Sequence, residues 1–168
     1  VKTPKIKSEY QMKGFLLQHD FDTNHVALLK PDAYKELTNI SSKYFSTWEV
    51  YNSNGELLIP NNDSTNRCIG NIEYFVKYFN ENSCRVDTTR TLREHIISKL
   101  INPEKFEKYE FSDNYTLVLY WSTFMGKYSQ DILNLEKIAN LSESKFSVIK
   151  VNMDLREDIK DFTISLKN

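Results

Sequence analysis

The chain has 168 residues, with 22 Lys plus Arg against 23 Asp plus Glu and a formal net charge of −1. That length suits one domain of ordinary size or a small domain with an appendage, and an apolar share of 40% is enough for a core. A near-neutral chain without a block of like charge lacks the footprint that phosphate binding requires, which argues against nucleic acid, and no apolar run approaches the roughly 20 residues that cross a bilayer.

Residues 1–13 are expected to form a polar, frayed tail, and Gly14-Phe15-Leu16-Leu17 a short strand. The opening on Val1 and a polar stretch suits an envelope protein cut from a signal or lipid anchor, and equally a truncation. A loop then carries His19, Asp20, Asp22 and His25. Imidazole and carboxylate are competent ligands for zinc or iron, but no fixed metal-binding spacing is met, so a polar turn is expected and no metal is assigned.

Residues 26–29 read as a buried strand, 31–40 as a helix with Pro31 at its first position, and 45–51 as a second strand. Asn54-Gly55 then marks a hairpin turn with positive φ before the strand Glu56-Leu57-Leu58-Ile59. After a polar loop over 61–67, Ile72, Phe75, Val76 and Phe79 recur at helical spacing. Cys68 and Cys84 flank that helix. A straight helix rising about 1.5 Å per residue would hold their Cα atoms beyond the roughly 7 Å reach of a disulfide, so two free thiols are expected.

Residues 86–111 are expected to be a connection. Asp87 is placed as an N-cap, Leu92, Ile96, Ile97, Leu100 and Ile101 as one apolar stripe, and Asn102-Pro103 as the stop. Arg90, Arg93 and Lys99 fall on a solvated face and His95 at its boundary, while 104–111 reads as a short edge segment. Beyond it, Leu117 to Trp121 form an apolar run suited to a strand buried on both faces. Ile132, Leu133, Leu135, Glu136, Ile138 and Ala139 then repeat at helical spacing, and a strand over 146–151 closes a βαβ unit.

The turn inside that unit, Trp121-Ser122-Thr123-Phe124-Met125-Gly126-Lys127-Tyr128, resembles the first βα turn of the thioredoxin-like superfamily, Trp-Ala-x-Trp-Cys-Gly-Pro-Cys. Trp121, Phe124 and Gly126 match in kind. Met125 stands at the nucleophilic cysteine, Lys127 at the proline and Tyr128 at the resolving cysteine, and Leu119 at a buried Asp that assists proton transfer in such proteins. The strand, helix, Asn-Gly-Glu hairpin and helix of residues 26–79 are similar to the second half of that fold, here placed ahead of the first half. The proline that usually precedes the hairpin is replaced by Ser46-Thr47.

The resemblance implies an α/β, thioredoxin-like sandwich: a central mixed sheet flanked by helices, in permuted or incomplete order. Either residues 14–168 form one such domain, or 14–111 form an α+β domain and 112–168 a partial thioredoxin-like unit. Dithiol exchange needs a thiolate and a second thiol, which Met and Tyr cannot supply. The expected function is therefore a non-catalytic scaffold or protein- or peptide-binding module of a bacterial cell envelope or periplasm, with a cytoplasmic address as the alternative. Trp121, Phe124, Met125, Gly126 and Tyr128 are the candidate binding residues, joined by Tyr120 in an aromatic rim, with no cofactor and no catalytic residue assigned. The alternatives are a thiol redox protein using Cys68 or Cys84, each beside an arginine, or a metal-dependent activity in the His19–His25 loop.

Overall fold

A computed structural model describes residues 8–39, 47–61, 69–110 and 112–154. Six strands form one mixed sheet in the order β1-β6-β5-β2-β3-β4: β1 (Val26–Leu28), β2 (Trp48–Tyr51), β3 (Glu56–Pro60), β4 (Cys84–Thr91), β5 (Tyr115–Trp121) and β6 (Phe146–Asn152). Five α-helices are present among the described residues: α1 (Glu9–Gln18), α2 (Pro31–Asn39), α3 (Ile69–Lys77), α4 (Leu92–His95) and α5 (Lys127–Leu141).

The central strand is β5, whose residues after Tyr115 are all buried. Its alternation sends Leu117 and Leu119 to one face, against Ile72, Val76, Ile132 and Leu135 of α3 and α5. Val118 and Tyr120 go to the other, against Ala33 and Leu37 of α2 and Leu92, Ile96 and Leu100. A strand covered on both sides has no solvated face to alternate with, which is why its sequence reads as a continuous apolar run. β5 pairs parallel with β6, so the expected βαβ unit forms, and antiparallel with β2, Trp48 opposite Leu119. Strands from residues 26–60 and from 115–152 thus share a single sheet.

The hairpin joins β2 and β3 through a turn in which Gly55 N donates to Asn52 O at 2.9 Å and only Gly55, at φ +74°, takes a positive φ. Asn52 Oδ1 accepts from Asn54 N and Glu56 N, so the turn is held by a side chain as well as by glycine.

Three expected elements differ. Residues 9–17 are not tail and strand but helix α1, closed by a capping box in which Ser8 Oγ accepts from Gln11 N and Gln11 Oε1 from Ser8 N. Met12 and Leu16, one helical turn apart, are fully buried against Trp121 and Leu133. The connection is the edge strand β4, whose Val86, Thr88, Thr89 and Thr91 favour an extended backbone. The helix after it is capped by Thr91, whose hydroxyl accepts from Glu94 N, and not by Asp87, which instead bonds Thr89 within the strand's irregular end. Residues 103–109 form two 3-10 turns, Pro103–Lys105 and Glu107–Tyr109, in place of the expected edge segment. Charged side chains do protect an edge, but it is Arg85, Asp87 and Arg90 on β4 that do so.

Candidate functional site

The βα turn forms where β5 leaves the sheet. Thr123–Met125 make one 3-10 turn, and Gly126, at φ +54° and ψ −122°, redirects the chain into α5 in a conformation that L side chains resist. Two polar clamps hold it. Ser129 Oγ donates to Ser122 O at 2.7 Å and accepts from Ser122 N at 3.0 Å, tying the turn to the first turn of the helix. Asp154, buried just beyond β6, accepts from Thr123 N and Thr123 Oγ1 at 2.9 Å and from Asn152 Nδ2 at 3.0 Å.

The five candidate residues are adjacent but not equivalent. Phe124 and Tyr128 are 58% and 40% exposed, Met125 and Gly126 are half-buried, and Trp121 is fully enclosed. Its indole stacks on Phe15 of α1 at 5.7 Å, and Nε1 has no hydrogen-bond partner among the described residues. Tyr120, placed in the same rim by sequence, belongs to the opposite face of the sheet, because neighbouring strand residues alternate sides. The start of α5 carries no side-chain cap among the described residues and no acidic residue in its first turn, and the exposed rings of Phe124 and Tyr128 lie on either side of it. No thiol and no imidazole stands among Trp121, Phe124, Met125, Gly126 and Tyr128, so these residues supply no thiol–disulfide chemistry.

The loop of potential metal ligands disperses its side chains. His19 lies against Phe15, Asp20 faces Lys137 at 3.7 Å, Asp22 bonds Asn24, and His25 Nδ1 meets the Tyr109 hydroxyl. No group of three or more His, Cys, Asp or Glu close enough to share an ion occurs among the described residues. Cys84 is a free, half-buried thiol; burial, with the nearby Glu81 charge, raises its pKa, the reverse of what a reactive thiolate needs. Cys68 lies outside the described residues, as do residues 62–67 of the polar loop and Ser46.

Two buried ionic clusters escaped the sequence reading. Lys150, in the middle of β6 with no exposed surface, directs Nζ to both oxygens of Glu136 at 2.8 Å and to Asp22 O at 2.7 Å. On the other face, Glu49 accepts from the hydroxyls of Tyr51 at 3.0 Å and Tyr120 at 2.8 Å, with His95 Nε2 at 3.4 Å. Burial alone would raise the Glu49 pKa, but the bonds from His95, Tyr120 and Tyr51 outweigh it and hold the carboxyl below its ordinary value. Burial and the Glu49 charge push both tyrosines up. The signal for these clusters was present: a Lys between Ile149 and Val151 in the strand Phe146-Ser147-Val148-Ile149-Lys150-Val151 and a Glu at an apolar helical position are charges where a core is expected.

No family model matches the chain, and neither the curated proteins nor the solved structures contain a significant match to it.

Proposed function

We propose that the chain is a thioredoxin-like domain that has lost dithiol chemistry and serves as a protein- or peptide-binding module, with Phe124, Met125, Gly126 and Tyr128 as its contact rim. The observation that carries this reading is the βα turn itself: Met125 and Tyr128 sit at the start of α5, where the family's resemblance requires the cysteines, and the aromatic side chains there are turned to solvent over a packed Trp121. Direct pairing of β5 with the hairpin strand β2 supports a permuted version of the fold, since the two half-sets of elements complete one sheet. An envelope address belongs to the same proposal and rests on the resemblance alone.

Exposed aromatic side chains supply large contact area at low conformational cost, which is why they anchor recognition surfaces. A redox role for Cys84 is the weaker reading because its thiol is biased toward the protonated form. The test is selection of peptides from a random displayed library on the protein, followed by titration of the selected peptides against Phe124→Ser/Tyr128→Ser. Binding at least tenfold weaker in that variant, at an unchanged thermal midpoint, is expected. Peptides that bind both proteins equally, or a library that yields none, would remove the rim as a binding site. Insulin-reduction turnover abolished by Cys84→Ser would replace the reading with the redox one.

A further inference from the structure

Strand β1 is three residues long and covers β6 only from Lys150 to Asn152. The ladder stops at Val26 because His25, at φ +57°, takes a left-handed conformation that carries the chain away from the sheet. Lys150 Nζ then holds the Asp22 carbonyl at 2.7 Å, anchoring the incoming loop off the sheet edge. Below β1 this leaves a notch of about 250 Å³, lined among others by Asp22, His25, Tyr109, Glu136, Phe146 and Val148.

The inner wall of the notch is the edge of β6. Lys150 N donates outward to His25 O, whereas Lys145 O and Met153 N bond inward to β5. By the two-residue alternation of a strand, the N–H and C=O of Val148 and of Phe146 face the notch. No strand pairs with them there among the described residues. At the other edges, Leu28 O accepts from Ile101 N beside β1, and the outer strand β4 carries charged side chains that oppose pairing.

Charge in the notch is unbalanced. The three protons of Lys150 are spent on Glu136 and on the Asp22 carbonyl, and the ammonium has no exposed surface. The Asp22 carboxylate lines the notch with no ion pair among the described residues, beside the margin of the Lys150-paired Glu136, the His25 imidazole, the Asn140 amide and the rings of Phe146 and Tyr109.

We propose that this notch is a strand-addition site for an extended peptide segment bearing a basic side chain, whose backbone pairs with Val148 while its ammonium or guanidinium group meets Asp22 and Glu136. The open run over residues 146–149, at about 3.3 Å per residue, accepts three to four residues. The site does not involve the rim of Phe124 and Tyr128 and stands or falls separately from it.

The test uses the blocked peptide acetyl-Thr-Val-Lys-Val-Thr-amide, its Glu analogue, and a version N-methylated at the backbone amides on either side of Lys, followed by amide NMR of the whole chain at low salt. The Lys peptide is expected to shift and protect the Val148 amide. Binding should be at least tenfold weaker for the Glu and N-methyl forms, and about threefold weaker to Asp22→Asn, the loss of one exposed charge contact. Phe124→Ser/Tyr128→Ser should leave it unchanged. Equal binding of the Glu or N-methyl forms, or an unshifted Val148 amide, overturns the proposal. So does n-butylammonium alone binding as tightly as the peptide, which would mark a pocket for small cations, or concentration-dependent self-association through Val148, which would make a second copy the occupant.

Discussion

Lys150 and Glu136 form a buried ion pair across β6 and α5. At 2.8 Å and an effective dielectric near 20, their attraction is about 6 kcal/mol in gross terms, and most of it is offset by the desolvation of an ammonium with no exposed surface. The net worth of the pair is therefore small while the cost of breaking it is large. Lys150→Met leaves the Glu136 carboxylate buried without its cation and frees the Asp22 carbonyl, and Glu136→Leu leaves the ammonium with one carbonyl for company. Each single change should cost about 3–5 kcal/mol, whereas the double change should lie within about 1 kcal/mol of the parent, giving a coupling of several kcal/mol. Urea unfolding of the four proteins at fixed pH, read by circular dichroism with slopes compared, measures this directly. If either single variant lost less than about 1 kcal/mol, the burial of the pair would be wrong and with it the anchoring of the loop before β1.

Three further outcomes follow from other parts of the fold. Met12→Ala should cost about 2–5 kcal/mol and shift tryptophan emission to the red, because Met12 is fully buried in the α1 contact that encloses Trp121; an unaltered spectrum and midpoint would return residues 9–13 to a tail. Gly55→Ala should cost about 1–2 kcal/mol in thermal or urea unfolding, since φ is +74° and a Cβ would stand 3.3 Å from Glu110 O. With its folded pKa depressed, Glu49 contributes stability that is complete above its unfolded value near 4.3 and lost as pH falls through the lower folded value. The urea midpoint should thus fall less steeply between pH 5 and 3 in Glu49→Gln than in the parent, and parallel curves would contradict the assigned bonds. The raised tyrosines work in the opposite window. Tyr51 and Tyr120 stabilise the fold below about pH 10 and withdraw that contribution above it, so their tyrosinate absorbance should appear only with unfolding.

Local signals carried much of the architecture. The apolar run of β5, the helical period of α5, Pro31 opening α2 and Gly55 in the hairpin each depend on contacts or conformations within a few residues, and each lies where the sequence places it. Two helix caps were equally local and were passed over: the capping box of Ser8 with Gln11, and Thr91, whose hydroxyl accepts from Glu94 N, both in Ser/Thr-x-x-Glu/Gln sequences. Thr91 competes with Asp87 as a helix start, and the β-branched residues between them settle the matter in favour of a strand. At the candidate site, the exposure of Phe124 and Tyr128 follows from their place around a helix start, but the burial of Trp121 depends on α1, more than a hundred residues away in sequence.

The sequence by itself determined the βαβ unit, the hairpin and the absence of thiols at the βα turn, because periodicity, turn chemistry and residue identity are short-range properties. Only the tertiary structure decided that β2 lies beside β5, that Tyr120 faces Glu49 and not the rim, and that Lys150 finds Glu136 and the Asp22 carbonyl. Those outcomes depend on which distant groups share a low-dielectric interior. A buried charge reveals from sequence only that it must have a partner, and the fold chooses which.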